Sequence, residues 1–306
     1  MADRLIFQTP TPIQPIRSQV AEWAGVQWLI KRDDLIHPQI SGNKWRKLKY
    51  NLQYAKMQGI DTLVTFGGAY SNHLYAVAAA GHALGFRTIG IVRGEKPEVL
   101  SPTLYFVREK GMQLAFWPRQ AYARKEDSDL FESIASKYAP FYLIPEGGSN
   151  TLAVKGSAEL VAEINEPFDY LCSACGTGGT LAGLIAGCAG RGHIIGVPVL
   201  KGGDFLQDDI LHLLQKYYAL EGQNPPLLQN WTLRTDYHFG GYARVTTELL
   251  TFIRRFEQEN DFLIEQVYTA KMLFGIEDMI RQGYFRRGQT IIAIHTGGLQ
   301  GRLPQL

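Results

Sequence analysis

Short apolar runs alternate with amphipathic helical patterns along nearly the whole chain, and this alternation restricts the fold more than any other feature. Strand-like runs fall at 28–31, 63–66, 88–92, 113–116, 141–144, 170–173, 194–199 and 290–295. Helical spacing falls at 44–57, 72–84, 101–110, near 125–138, and at 153–164, 179–188, 245–259 and 271–282. In the first helix Trp45, Leu48, Leu52 and Ala55 share one face, Ser41 is a plausible cap and Gly59 a stop. Such a chain buries its apolar faces by laying strands in parallel with helices on both sides, so an α/β fold with parallel sheets is expected. Glycine clusters follow strand-like runs directly, at Gly67-Gly68, Gly147-Gly148, 176–179 and Gly297-Gly298. Turns with close backbone approach at strand C-termini are where open α/β sheets build ligand sites. The least regular stretch, 222–229 with Asn224-Pro225-Pro226, reads as a surface loop.

Composition excludes several function classes. At 306 residues the chain is about twice the usual single-domain size. Lys+Arg 31 against Asp+Glu 29 leaves +2, with no overall basic field for nucleic acid. No apolar run approaches the roughly 20 residues that span a bilayer, and the first residues lack a signal-peptide core and carry early prolines. Three cysteines form no disulfide framework. A soluble cytoplasmic protein of enzyme size is the expectation.

The run Cys175-Gly176-Thr177-Gly178-Gly179-Thr180 follows a strand and opens a helix. Its glycines expose backbone N–H groups, and the helix start adds positive potential, so an anion is favoured there. Leu181 stands where a dinucleotide loop needs its last glycine, and no Gly-Lys-Ser/Thr follows, so a single small phosphate suits it better. Lys44 opens an amphipathic helix. It reads either as a solvated cation or, with Trp45 and Leu48 beside it, as a partly buried amine suited to a Schiff base. Ser71 and Asn72 are ordinary capping residues or, equally, side chains facing a ligand over the sheet edge; His73 is a helix residue or part of the same site. Tyr242 and Tyr268 lie in loops, where tyrosines usually pack. Cys172 and Cys175 have redox-type spacing but no other sign of that chemistry, and no metal-site spacing occurs.

Taken in order, these segments resemble the pyridoxal-phosphate enzymes of fold type II, within the 1-aminocyclopropane-1-carboxylate deaminase and D-cysteine desulfhydrase family. The resemblance runs from Lys31-Arg32-Asp33-Asp34 through Ser41-Gly42-Asn43-Lys44, Tyr70-Ser71-Asn72-His73, 146–150 and 176–180 to Val267-Tyr268-Thr269 and His295-Thr296-Gly297-Gly298. It implies two open twisted parallel-sheet domains like those of tryptophan synthase β: a larger cofactor domain of residues 1–49 and 156–306, and a smaller α/β domain of 50–155 inserted in it. It implies pyridoxal 5'-phosphate carried on Lys44, with Lys44 also moving the substrate's Cα proton. Thr177, Gly178, Gly179 and Thr180 would grip the phosphate, and Asn72 would bond the ring hydroxyl. Ser71 and His73 would meet the substrate carboxylate, Ser71 also relaying a proton, while Tyr242 and Tyr268 would flank substrate and ring. A homodimer acting on a small amino acid is implied too.

Two positions bear on reaction type. Family members that open the cyclopropane ring carry a glutamate after the tyrosine of the Val-Tyr motif and a leucine before the terminal Gly-Gly; here Thr269 and Thr296 stand in those places, as in desulfhydrase-like members. The resemblance therefore implies α,β-elimination from D-cysteine or a similar β-substituted amino acid. The alternatives are cyclopropane deamination, racemisation or dehydration, and a non-catalytic cofactor binder. The chain departs from the family around Gly241-Tyr242-Ala243-Arg244 and at Cys175, mostly on the substrate side.

Overall fold

A computed structural model describes residues 5–125, 127–226 and 229–306. The chain opens with β1 (Ile13–Pro15), α1 (Gln19–Ala24), β2 (Gln27–Lys31) and α2 (Asn43–Met57). Next come β3 (Thr62–Gly67), α3 (Asn72–Leu84), β4 (Arg87–Arg93), α4 (Pro102–Glu109) and β5 (Gln113–Trp117). Helices α5 (Arg119–Ala123) and α6 (Ser128–Tyr138) lead to β6 (Tyr142–Ile144). The chain continues with α7 (Thr151–Ala162), β7 (Tyr170–Cys175), α8 (Gly179–Cys188), β8 (His193–Pro198), α9 (Leu206–Leu220) and β9 (Trp231–Leu233). It closes with α10 (Thr247–Asn260), α11 (Thr269–Arg281) and β10 (Thr290–Ile294).

The strands form two sheets. One is six-stranded, in the order β1-β2-β10-β7-β8-β9, and the other four-stranded, in the order β5-β4-β3-β6. Every pairing is parallel except that of the edge strand β1 with β2. The parallel strands are covered on both faces, so their apolar residues run continuously: Ile291, Ile292 and Ala293 of β10 are fully buried between Trp28–Ile30 of β2 and 170–172 of β7. The alternation in the sequence thus becomes two parallel α/β layers, as expected.

Several local details differ from the sequence reading. The 125–138 pattern holds one helix, α6, while the short α5 ahead of it, Arg119–Ala123, starts after Pro118 and has no counterpart in the sequence reading; residue 126 lies outside the described residues. Of the 222–229 loop, residues 227 and 228 lie outside them as well, and the rest carries neither helix nor strand. Helix α9 was not anticipated, although Leu206, Ile210, Leu214 and Tyr218 are buried at four-residue intervals. Ser41 does not cap α2: the cap position belongs to Gly42, without a side-chain hydrogen bond. Residues 50 and 155 fall inside α2 and α7, and these two helices pack against each other between the sheets.

Candidate active site

The glycine turns behind β3, β6, β7 and β10 and the start of α2 converge on one cleft. Its lining includes Ser41, Asn43, Lys44, Lys47, Asn72, Gly147, 174–178, Thr180, Tyr268, 296–298 and Gln300. The empty volume is about 670 Å³, part of it open to solvent.

The start of α2 is fastened from both sides. Gly42 adopts φ 59°, and a Cβ there would overlap the carbonyl oxygen of Thr296. That oxygen accepts the Asn43 N–H at 3.3 Å, and Asn43 Nδ2 donates to Thr180 Oγ1 at 3.0 Å. The next residue, Lys44, is half-buried, and its Nζ makes no hydrogen bond to any described residue. Burial pushes its amine down to about 8, a displacement that the Glu265 carboxylate only partly opposes.

One turn on, Lys47 is 3% exposed. Its Nζ donates to Gly147 O (3.0 Å) and Ser149 Oγ (2.9 Å), with Thr177 Oγ1 at 3.5 Å. Burial, and then the nearby charge of Lys44, hold its pKa well below the usual lysine range. Ser149 Oγ lies 2.5 Å from Thr177 Oγ1, so the 146–150 turn and the 176–179 turn are joined through these groups. Gly178, at φ 74°, is the cap residue of α8 and offers no side-chain bond to the helix start. The first N–H groups of α8 therefore open onto the cleft with Lys47 beside them. An uncapped helix start, two threonine hydroxyls and a buried lysine make a donor set that fits a phosphate.

Ser71 caps α3, its Oγ accepting the Leu74 N–H at 3.2 Å. Asn72 lines the cleft, and its Oδ1 accepts from Gln300 Nε2 at 2.6 Å, which leaves its NH₂ as the free end. His73 is 2% exposed and does not line the cleft. Thr65 Oγ1 donates to Ile144 O at 2.8 Å, so the 2.8 Å contact to His73 Nε2 has the imidazole as donor. Nδ1 is then a bare acceptor, buried and without a partner. Burial, then the charges of Lys44 and Lys47, keep this histidine neutral.

Tyr268 lines the cleft as the residue before α11, its ring against Gly176. Burial and then Tyr242 hold its phenol well above the usual range, so it stays protonated. Tyr242 is 42% exposed and stands at the edge, its ring 6.0 Å from that of Tyr268 and tilted by 70°. Thr296 lines the cleft, whereas Thr269 is fully buried behind it, its amide bonded to Glu265 Oε1 at 2.6 Å. Glu265 also accepts from the N–H groups of Val267 and Tyr268, and burial raises its pKa.

The structure thus brings Lys44, Asn72, Thr177, Gly178, Thr180, Tyr268 and Thr296 to one cleft, while Gly179, buried at the start of α8, does not line it. Ser71, His73, Tyr242 and Thr269 stand next to it without lining it. Sequence reasoning missed Lys47, Ser149, Glu265 and Gln300. Of these only Glu265 had a local signal, an acid just ahead of a helix start. Among the described residues no group of three or more His, Cys, Asp or Glu is placed to hold a metal.

The chain is similar to several known proteins. It is 31% identical over 300 residues to the bifunctional D-cysteine desulfhydrase/1-aminocyclopropane-1-carboxylate deaminase, mitochondrial, of Arabidopsis thaliana, covering 90% of this chain and 73% of that one. It is 29% identical over 306 residues to D-cysteine desulfhydrase of Yersinia enterocolitica, covering 94% and 91%. The solved structure of an ACC deaminase homologue superposes with a TM-score of 0.85 at 29% identity, over 97% of this chain and 92% of that one. The family model of the pyridoxal-phosphate dependent enzymes matches residues 5–297, a span that holds all of the cleft's lining except Gly298 and Gln300. With that match over nearly its full length, the chain belongs to the pyridoxal-phosphate dependent enzymes.

Proposed function

We propose that this chain is a pyridoxal-phosphate-dependent lyase that performs α,β-elimination on D-cysteine or a related small β-substituted amino acid. From cysteine and water the products are pyruvate, ammonia and sulfide. The observation that carries the reading is the pairing, across one cleft, of the unbonded low-pKa amine of Lys44 with the uncapped, glycine-rich start of α8.

Pyridoxal phosphate, when bound, supplies an electron sink for bonds broken at the substrate's Cα. The chain's own residues then divide the remaining work. Lys44 holds the group through Nζ and, once released, takes the Cα proton there. The N–H groups of 177–180 and the Lys47 amine would hold the phosphate. Asn72 donates from the amide end that Gln300 leaves free. Ser71, whose Oγ accepts from the backbone, keeps its hydroxyl proton to donate to the substrate carboxylate, with His73 behind it. Tyr268 and Tyr242 flank the reacting groups as neutral phenols. A threonine hydroxyl, from Thr296 in the lining, would donate to the ring nitrogen and give a weaker sink than the carboxylate other family members carry at position 269; Thr269 itself is fully buried and does not line the cleft. The weaker sink is enough when a thiolate leaves from Cβ.

The test offers the loaded protein D- and L-cysteine, β-chloro-D-alanine and 1-aminocyclopropane-1-carboxylate, and follows keto acid, sulfide and ammonia. Turnover of the D-thiol and D-chloro substrates, with little from the cyclopropane, is expected. The reverse pattern would establish the other activity in the Arabidopsis relative's name.

The division into residues 50–155 and the remainder is supported by the four strands between 62 and 144, which pair only with one another; limited proteolysis tests it. A homodimer is what the resemblance implies and a cytoplasmic setting what the sequence composition suggests; light scattering and cell fractionation test them. Among the described residues no helix is long and apolar enough to cross a membrane.

A further inference from the structure

Lys271 is fully buried in the first turn of α11, three residues after Tyr268. Its Nζ donates to the carbonyl oxygens of His238 (2.9 Å) and Gly241 (2.8 Å). Each oxygen already accepts a bond within the turn, the Gly241 N–H on His238 O at 3.0 Å and the Arg244 N–H on Gly241 O at 3.1 Å. The lysine takes the second lone pair of both. That turn is unusual backbone: Phe239 and Ala243 have φ of 53° and 55°, with Gly240 at 89° and Gly241 at 124° between them. Left-handed conformations at Phe and Ala cost energy and persist only where the surroundings hold them. Tyr242 sits within this turn, its ring edge-on to Tyr268. The start of α11 therefore carries one tyrosine of the pair directly and grips the backbone beside the other.

We propose that Lys271 is a positioning residue for the cleft, clamping the 238–243 turn to α11 and so setting Tyr242 against Tyr268. This rests on the reading of both tyrosines as substrate-facing.

The test compares wild type, Lys271→Met, Tyr242→Ala and the double variant, all loaded with pyridoxal phosphate. Lys271→Met alone should lower kcat/KM for D-cysteine at least tenfold, leave the cofactor's visible band in place, and add no further loss on the Tyr242→Ala background. Amides 240–244 should exchange hydrogen faster in Lys271→Met, while exchange elsewhere in α11 keeps its rate. A loss that adds fully to that of Tyr242→Ala, or unchanged exchange at 240–244, would overturn the proposal. Should Lys271→Met fail to fold, Lys271→Gln, which can still donate to one carbonyl, carries the same comparison. If wild type turns over none of the amino acids, the functional reading fails, and the exchange data still decide whether the clamp exists.

Discussion

Gly42 packs directly against Thr296: the space a Cβ would need at Gly42 is filled by the Thr296 carbonyl oxygen, and the neighbouring Asn43 N–H bonds to that same oxygen. This close approach places the start of α2, and hence Lys44, at the end of β10. Gly42→Ala meets both a backbone clash and a left-handed φ of 59°. We expect a loss of at least about 2 kcal/mol in stability by urea denaturation, and a larger proportional loss of cofactor binding. A variant as stable as wild type that binds cofactor normally would show that the contact does not position Lys44.

Lys44 should react as an amine of pKa about 8. At pH 7.5 roughly a quarter of such an amine is neutral, against about a thousandth of an ordinary lysine. Trapping of pyridoxal phosphate on the cofactor-free protein with borohydride, read by peptide mass spectrometry, should label Lys44 first. The labelling rate should rise through a midpoint near pH 8 and then level off. A rate still climbing at pH 10 would contradict this, and Lys44→Ala should abolish the visible band.

Lys47 is expected to hold the phosphate without holding the ring. Lys47→Met removes the amine that bonds Gly147 and Ser149 beside the 176–179 turn. Cofactor affinity should fall tenfold or more, about 1.4 kcal/mol, with labelling at Lys44 retained when cofactor is in excess. Equal affinity in the variant, measured by titration of the visible band, would put the phosphate elsewhere.

Glu163 predicts an acid limit to stability. Burial works against its charged form, but hydrogen bonds and charge from Arg46, then Lys31, overcome this and hold its carboxyl at about 2. Its folded pKa lies below the ordinary 4.5, so its contribution is full above about pH 4.5 and is lost as pH falls towards 2. Glu163→Gln should cost about 3 kcal/mol at pH 7, because it strips a carboxylate from two buried cations. The gap from wild type should narrow steadily in acid. A gap independent of pH would assign the effect to packing.

What the sequence determined alone is what local pattern can carry. Short continuous apolar runs and period-3.6 stretches specify strands and helices, their alternation specifies parallel sheets, and glycines behind strands mark the turns. The order of Lys44, Asn72, 177–180, Tyr268 and Thr296 was enough to place one site. Tertiary structure alone decided which charges lie inside. Helix α2 carries Lys44, Arg46, Lys47 and Lys49 within two turns, and beyond marking Lys44 the string does not say which of the other three lie inside. Packing of α7 and the 146–150 turn buries Arg46 and Lys47, while Lys49 stays at the surface with Glu159. Lys271 reads as an ordinary helix cation until the strained 238–243 turn folds over it. Likewise Gly42 rather than Ser41 begins α2, because Thr296, some 250 residues later, fills the space beside it. Burial belongs to the neighbours a residue acquires, and those neighbours come from distant parts of the chain.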